Sequence, residues 1–353
     1  MSDFALLSQL AQNFQLDGKP LYCDKYGNGN INDTYLLLDS SGRVYILQKL
    51  NKSVFKDPEA VMRNQAEVIE FLKQKVSAKK EVASLVPTKY NALWHVEPDG
   101  EYWRLYDFIQ ESVCLESAAS LFVFRECARA FGKFQASLSD FPAEKLVETI
   151  PRFHDTPFRY TNLHEAIDKD PVGRVKECQR EINFLLQREK ECSLLMDLKA
   201  AGVLPLRVTH NDTKLSNILF NKYTRKAMCI IDLDTVMPGL SVTDYGDAIR
   251  YGASTAAEDE VDLSKVKLSL PHFVAYTEGF LSVIGDSLTS FELDHLRDGT
   301  RIITLELATR FLADYLLGDV YFKITRPRQN LDRTRTQVKM AEEFEEHWNS
   351  LEI

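Results

Sequence analysis

Two periods of hydrophobic and polar residues alternate along the first third of the chain. Residues 3–14 repeat at helical spacing, with Phe4, Leu7, Leu10, Ala11 and Phe14 on one face and Ser2 where an N-cap would stand. The period then shortens to two. Runs at 21–26, 31–39 and 43–50 read as strands, the first pair joined by Gly27-Asn28-Gly29-Asn30 and the second by Ser40-Ser41-Gly42. Helical spacing returns over 57–75 through Val61, Val68 and Leu72. Two more strand-like runs follow at 92–96 and 102–109, with Asp99-Gly100 as the turn between them. The remainder is largely helical. A broad apolar stripe (Leu121, Phe122, Phe124, Ala128, Phe131, Phe134, Leu138) marks 119–138, and 160–169 and 174–200 are helical and mostly polar. Short strands are expected at 206–209, 218–221 and 226–234, and helices at 243–252, 264–284, 289–317 and 331–348.

This order predicts an α+β chain with a protein-kinase-like two-lobe fold. Residues 1–108 would form a small nucleotide-binding lobe with an antiparallel sheet and a helix, 109–118 a hinge or linker, and 119–353 a large helical lobe holding the catalytic loop. Within the hinge region, Asp107 and Ile109 are the candidates for holding a nucleotide.

The candidate chemistry lies in His210-Asn211-Asp212-Thr213-Lys214-Leu215-Ser216-Asn217, which reads H-x-D-x-x-x-x-N, the spacing of a protein-kinase catalytic loop. The apolar pair Ile230-Ile231 then leads into Asp232-Leu233-Asp234. Together these supply a base, an amide oxygen and a carboxylate around one point, as phosphoryl transfer to a hydroxyl requires. A lone loop aspartate usually caps a turn; the company of Asn217 and Asp232 favours Asp212 as the base that takes the acceptor hydroxyl's proton. Asn217 and Asp232 offer hard oxygen ligands for Mg2+. Two readings are open for Asp234: approach to a second magnesium ion, or capping of the Pro238-Gly239 turn. Lys214 is placed either to neutralise the migrating phosphoryl group or simply to face solvent, and His210 to brace the loop.

The glycine-rich turn Gly27-Asn28-Gly29 could lay backbone N–H groups over phosphates, although an Asn-Gly hairpin explains it equally well. It precedes no helix, so neither the Rossmann nor the Walker A pattern applies. One expected residue is missing. By alternation Gln48 fills the strand position where kinases carry the phosphate-pairing lysine, and Lys49 points to the other face. Either the glutamine amide does a weaker version of that job or another cation does it. Glu67 and Glu70 on the next helix are candidate partners for such a group, or simply part of a solvated face.

Composition narrows the partners. With 353 residues, 44% hydrophobic, and a net charge of −9, the chain can bury a sizeable core and lacks the basic surface that nucleic acid or an anionic membrane selects. The six cysteines form no C-x-x-C pair and no metal-ligand spacing with the histidines, so buried thiols of a reducing compartment are expected. No signal peptide, membrane span or protein-partner motif is read, and the expected location is cytoplasmic.

Several longer stretches carry a resemblance. They are Tyr26-Gly27-x-Gly29-x-Ile31-Asn32, Tyr45-Ile46-Leu47-Gln48, Phe153-His154-Asp155-Thr156-Pro157, the 206–215 segment, Ile230-Ile231-Asp232-Leu233-Asp234-Thr235, Arg310-Phe311-Leu312-Ala313-Asp314-Tyr315 and Arg333-Thr334-Arg335-Thr336-Gln337. Over nearly the whole chain they resemble the aminoglycoside phosphotransferase / choline kinase superfamily, and within it the N-acetylhexosamine 1-kinases. The resemblance implies ATP- and Mg2+-dependent phosphorylation of the anomeric hydroxyl of N-acetylglucosamine or N-acetylgalactosamine, in amino-sugar salvage. It implies Asp212 as base, Asn217 and Asp232 as magnesium ligands, and Tyr251, Arg310 and Tyr321 as lining of the sugar pocket. It also matches glutamine at position 48. Asn30 departs from it, standing where the family pattern has a histidine that could face the sugar. Arg310, a charge in an otherwise apolar helix, needs a partner, either a ligand or Asp314 four residues on.

Other classes remain to be weighed. A kinase of the same fold could act on another sugar, choline, homoserine or an aminoglycoside. A metal hydrolase could use His210, Asp212, Asp232, Asp234 and Asp244. The missing lysine raises a pseudokinase-like binding module.

Overall fold

The protein is described from a computed structural model over residues 3–27, 31–76, 79–118, 120–351 and 353. Asn28, Gly29 and Asn30 therefore lie outside the described residues. The chain opens with helix α1 (Asp3–Ala11), shorter than its apolar spacing predicts because Phe14 leaves the helix and bridges to Thr88. Strands β1 (Pro20–Lys25), β2 (Asp33–Asp39) and β3 (Val44–Lys49) precede helix α2 (Pro58–Lys73), and β4 (His95–Val96) and β5 (Tyr102–Asp107) follow it. They pair antiparallel in the order β1-β2-β3-β5-β4. Alternation buries Leu37, Tyr45, Leu47 and Leu105 with Phe14 in one cluster. Asp57 caps α2 by accepting from the Ala60 N–H at 2.9 Å, with Pro58 pre-set at its first turn.

The helical part holds α3 (Leu121–Ser137), α4 (Thr156–Lys169), α5 (Gln179–Leu186), α6 (Leu194–Ala200), α7 (Ser241–Gly252), α8 (Leu270–Ile284), α9 (Ser290–Asp294), α10 (Leu296–Leu316) and α11 (Gln329–Glu346). Short strands β6 (Ser112–Val113), β7 (Arg207–Thr209), β8 (Ile218–Asn221), β9 (Ala227–Ile230) and β10 (Met237–Gly239) frame the catalytic-type loop; β7 pairs with β10, and β8 with β6 and β9. The expected helix at 174–200 is broken into α5, α6 and two 3-10 turns, that at 264–284 starts only at Leu270, and that at 289–317 breaks at His295. A cluster of Val68, Ile69, Phe134, Val208 and Val236 joins α2 to α3 and to the strands of the loop region, so the two parts share apolar packing beneath the site. No described helix is long and apolar enough to cross a membrane.

Helix α10 is buried on nearly all sides, and α7 crosses it where both have glycine. A Cβ on Gly246 would stand 2.5 Å from the Gly299 carbonyl carbon, and one on Gly299 would run into the Val242 carbonyl. Gly246→Ala is expected to lower stability by about 1–3 kcal/mol through overpacking, measured by denaturant unfolding. A change under about half a kcal/mol would mean that the helices part without cost.

Candidate active site

The loop after β7 is folded by carboxylates beneath it. Asp244, near the start of α7, accepts the backbone N–H groups of His210 (2.8 Å) and Asn211 (2.7 Å) and the Gln135 amide (2.8 Å). One turn on, Asp247 accepts the Thr213 N–H at 3.2 Å. These bonds satisfy backbone donors that a tight loop would otherwise leave buried and unpaired. Asn211 sits at φ +63° and Asp232 at φ +60°, a left-handed conformation that Asn and Asp tolerate best among side-chain-bearing residues. His210 is buried against Phe131 and donates to the Ile231 carbonyl at 3.0 Å, and Thr235 donates to the His210 carbonyl at 2.7 Å. Ile231 N–H in turn donates to the Asn217 carbonyl at 2.9 Å. The 210–217 loop and the 231–235 segment are thus laced together.

Three oxygen-bearing side chains converge on this frame. Asn217 Nδ2 donates to Asp212 Oδ2 at 2.9 Å, and Lys214 Nζ pairs with the same oxygen at 2.8 Å. Burial pushes the Asp212 carboxyl up, but the Lys214 ammonium and the Asn217 amide outweigh it, and the net shift is downward. Burial likewise opposes the Lys214 charge, yet the carboxylates of Asp212 and Asp232 hold it raised. The Asp232 carboxyl is walled by protein while remaining open to the cleft; burial, then Asp234 and Asp212, raise it to about 6. Among the described residues, no hydrogen bond reaches the Asp232 carboxylate or Asn217 Oδ1. Free hard oxygens beside an ionised carboxylate fit a divalent cation such as Mg2+.

Other expected residues fall elsewhere. Asp234 neither approaches that point nor caps the 238–239 turn. Its carboxylate accepts from Arg104 Nη1 (2.5 Å) and Nη2 (3.0 Å), from Asn32 Nδ2 (2.5 Å) and from Gln65 Nε2, so it has no free oxygen for an ion. Gln48 faces inward as alternation predicts, with its amide oxygen holding Arg104 and its Nε2 donating to Thr34. Lys49 lies on the other face, 3.3 Å from Glu101. Glu67 and Glu70 are exposed, leaving Asn64 and Gln65 as the buried polar residues of α2. At the hinge, Asp107 pairs with Arg43 at 2.8 Å, and the Ile109 carbonyl accepts from Ser112 Oγ at 2.6 Å. Gly27 has φ +76°, at the end of β1.

Arg310 has no bond to Asp314. That carboxylate instead collects the N–H groups of Val320, Tyr321 and Phe322 and the Asn330 amide, shaping the turn after α10. The nearest acid to Arg310 is Glu306, at 3.9 Å. Among the described residues the guanidinium makes no hydrogen bond, although its side chain is only 11% exposed; it rests over the rings of Phe153 and Phe322. Glu306 accepts from His154 Nδ1 (2.9 Å) and Thr156 Oγ1 (2.8 Å), and His154 Nε2 reaches the Asn211 carbonyl at 3.2 Å, beside Asp212. Burial, then Arg310, pulls the neighbouring Arg159 down to about 10. Exposed Tyr321 stands edge-on to Phe322. Tyr251 lines a cavity of about 700 Å³ with Glu116, Leu215, Arg333 and Gln337; Arg310 and Tyr321 are not among its lining residues. Sequence reasoning missed Arg104, Gln65, Glu306 and the bracing role of Asp244. The one available signal was acidic or basic residues inside otherwise apolar elements.

Glu306 is held below its ordinary value of 4.5: burial opposes the charge, but His154, Arg310 and Arg159 outweigh it. A depressed carboxyl stabilises the fold above its unfolded pKa, and that contribution is lost as pH falls through the folded value. Glu306→Gln is expected to cost about 3 kcal/mol at neutral pH. The gap between the two proteins' melting temperatures should narrow below pH 4.5. A gap constant with pH would contradict the ionised reading.

Known structures share this fold. An amicoumacin kinase, solved with AMP-PNP, Ca2+ and Ami, is 12% identical with TM-score 0.67, covering 97% of this chain and 94% of that one. An aminoglycoside phosphotransferase from Alicyclobacillus acidocaldarius is 15% identical with TM-score 0.67, over 97% and 93%. A microcompartment-associated aminopropanol kinase is 14% identical with TM-score 0.62, over 99% and 98%. At such identities the likeness establishes the kinase-like α+β fold. The family model, however, matches residues 24–275, most of the chain and the whole 210–235 segment. By that match, the chain belongs to the phosphotransferase enzyme family, APH.

Proposed function

We propose that this chain is an ATP- and Mg2+-dependent kinase of the anomeric hydroxyl of N-acetylhexosamines, N-acetylglucosamine or N-acetylgalactosamine, yielding the sugar 1-phosphate. The observation that carries the acceptor class is Arg310: a buried guanidinium, tied through Glu306 and His154 to the 210–217 loop, with no hydrogen-bonded protein partner among the described residues. Five N–H donors left without acceptors in a poorly solvated place call for ligand oxygens. Hydroxyl and acetamide oxygens supply them. Arg159, Arg310 and His154 surround the single carboxylate of Glu306, and such a wall repels the ammonium group of choline or aminopropanol. Of the acids in the cavity beside Tyr251, which would suit a cation, Arg250 takes Glu258 (2.6 Å) and Arg326 and Gln329 take Asp259, which leaves the exposed Glu116. Tyr321, which shares Phe322 with Arg310, and Asn30 would complete the sugar contacts, while Tyr251 lines a different cavity and would reach the sugar only from there.

When bound, Mg·ATP would supply the γ-phosphoryl group and the divalent charge that offsets its oxygens. Asn217 Oδ1 and the Asp232 carboxylate would hold the ion, and Gly27, Asn28 and Gly29 would cover the phosphates. Asp107 and Ile109 belong to the hinge, where backbone groups would meet the base. Asp212, ionised and steered by Lys214 and Asn217, orients the sugar hydroxyl and accepts its proton. Lys214 offsets charge on the moving group. A hydrolytic two-metal reading finds less support, because Asp234 and Asp244 both spend their oxygens on protein donors. The free oxygens of Asn217 and Asp232 weigh against a non-catalytic module.

The test is an ADP-release assay across N-acetylglucosamine, N-acetylgalactosamine, glucosamine, glucose, choline, aminopropanol, homoserine and an aminoglycoside. Turnover at least about tenfold more efficient with an N-acetylhexosamine than with any amine acceptor is expected, a factor equal to one good hydrogen bond. No turnover with any hexose or hexosamine would end this reading.

A further inference from the structure

In protein kinases a lysine of the third strand and a glutamate of the following helix form an ion pair that must be in place for activity. Here the inward polar side chains at the matching elements are both uncharged amides, Gln48 on β3 and Gln65 on α2. The charges stand one strand and one loop away. Arg104 lies on β5 directly opposite Gln48 in the ladder, and Asp234 lies two residues beyond Asp232.

The connections are complete. Arg104 Nε and Nη2 donate to Gln48 Oε1 at 3.0 and 2.8 Å; Nη1 and Nη2 donate to the two oxygens of Asp234; and Nη1 also points at Met62 Sδ, 3.7 Å away. Tyr106 OH donates to Gln65 Oε1 at 2.8 Å, which turns Gln65 Nε2 onto Asp234. Asn32, at the foot of β2, donates to Asp234 and accepts from the Asn51 N–H at 3.0 Å. Thr149 Oγ1 holds the Asp234 carbonyl at 2.9 Å. Arg104 and Asp234 are 1% and 2% exposed. The residue before β2, β5 and α2 therefore all reach one carboxylate of the segment that carries Asp232, and β3 joins them through Arg104.

A buried ion pair is weak ground for stability, since apolar residues of similar volume often serve as well. It does fix geometry. We propose that the Arg104–Asp234 pair, with Gln48 holding the guanidinium and Gln65 the carboxylate, takes the place of the strand–helix lysine–glutamate pair as a positioning clasp, setting Asp232 and the start of β2 across the phosphate subsite. Arg104 is not a phosphate ligand, because its N–H groups are already directed at protein acceptors. The inference rests on reading Asp212, Asn217 and Asp232 as the phosphate and metal end; it does not depend on the acceptor.

The experiment is calorimetric binding of Mg·ATP and of adenosine, without acceptor, with melting temperatures alongside. For Arg104→Lys and Asp234→Asn, Mg·ATP affinity is expected to fall at least tenfold, with adenosine affinity within twofold. The apolar double variant Arg104→Met/Asp234→Leu separates position from stability. It should melt above either single variant, yet still bind Mg·ATP at least fivefold more weakly than the unaltered chain. Should these variants fail to fold, Asn32→Ala removes one bond to Asp234 together with the one from the Asn51 N–H, and should weaken Mg·ATP at least threefold relative to adenosine. A smaller relative loss in the folded variants, or equal losses for both ligands, would overturn the clasp. If instead the phosphate end itself were misread, the unaltered chain would bind Mg·ATP no more tightly than adenosine.

Discussion

Replacing Asp212 with alanine is expected to cut turnover by about a thousandfold or more while leaving the affinity for Mg·ATP within a few-fold, since a positioned base contributes roughly 10²–10⁴. The split follows from what Asp212 touches. Its carboxylate is held by Lys214 Nζ at 2.8 Å and Asn217 Nδ2 at 2.9 Å, and the ammonium helps keep it ionised, so a base is available at neutral pH. The oxygens proposed for the metal, on Asn217 and Asp232, belong to other residues. Freed of Asp212, Lys214 still faces Asp232, so the phosphate end keeps its cation. Single-turnover rates and titration calorimetry on the same protein read the two quantities separately. Loss of both, or of neither, would take Asp212 out of the proposed role.

The second large effect concerns Arg310. Arg310→Met is expected to lower kcat/KM for the N-acetylhexosamine about a hundredfold, the worth of one or two charge-assisted hydrogen bonds at roughly 1.5–3 kcal/mol each. Mg·ATP affinity should not change. Melting temperature should fall only slightly, because among the described residues the guanidinium makes no hydrogen bond and its loss forfeits only the 3.9 Å pairing with Glu306 and the contacts with the Phe153 and Phe322 rings. That combination distinguishes a ligand-directed arginine from a structural one, whose loss would lower stability first. An unchanged kcat/KM, or a fall accompanied by clear destabilisation, would move the acceptor site away from α10.

The candidate residues were legible as a spacing. The 210–217 loop and Asp232 stand out in local sequence, the structure brings Asp212, Lys214 and Asn217 within hydrogen-bond reach, and the loop's shape comes from Asp244 and Asp247 on α7. The β1–β2–β3 meander and α2 were equally readable, from a period of two giving way to helical spacing. What escaped depended on partners far along the chain. Arg104 is one of three consecutive buried residues, Trp103, Arg104 and Leu105, so alternation on β5 did not separate one face from the other, and its counter-ion Asp234 lies 130 residues along the chain. Asp234 looked free to bind metal because spacing reveals neither the left-handed turn at Asp232 nor the donors waiting on β2, α2 and β5. Arg310 and Asp314 sit at ideal helical spacing for an ion pair. The turn after α10 won Asp314, because three backbone N–H groups at a helix end need an acceptor. Strands of two or three residues, such as β6 and β10, are set by pairing and leave no periodic trace.

The identity of the product probes the whole account at once. Phosphorus NMR of a mixture of the protein, Mg·ATP and N-acetylglucosamine or N-acetylgalactosamine should show ADP and a new monoester signal split by the anomeric proton, growing together. ADP accompanied only by inorganic phosphate, or an unchanged ATP spectrum with both sugars, would contradict a site built to deliver the phosphoryl group to an anomeric hydroxyl.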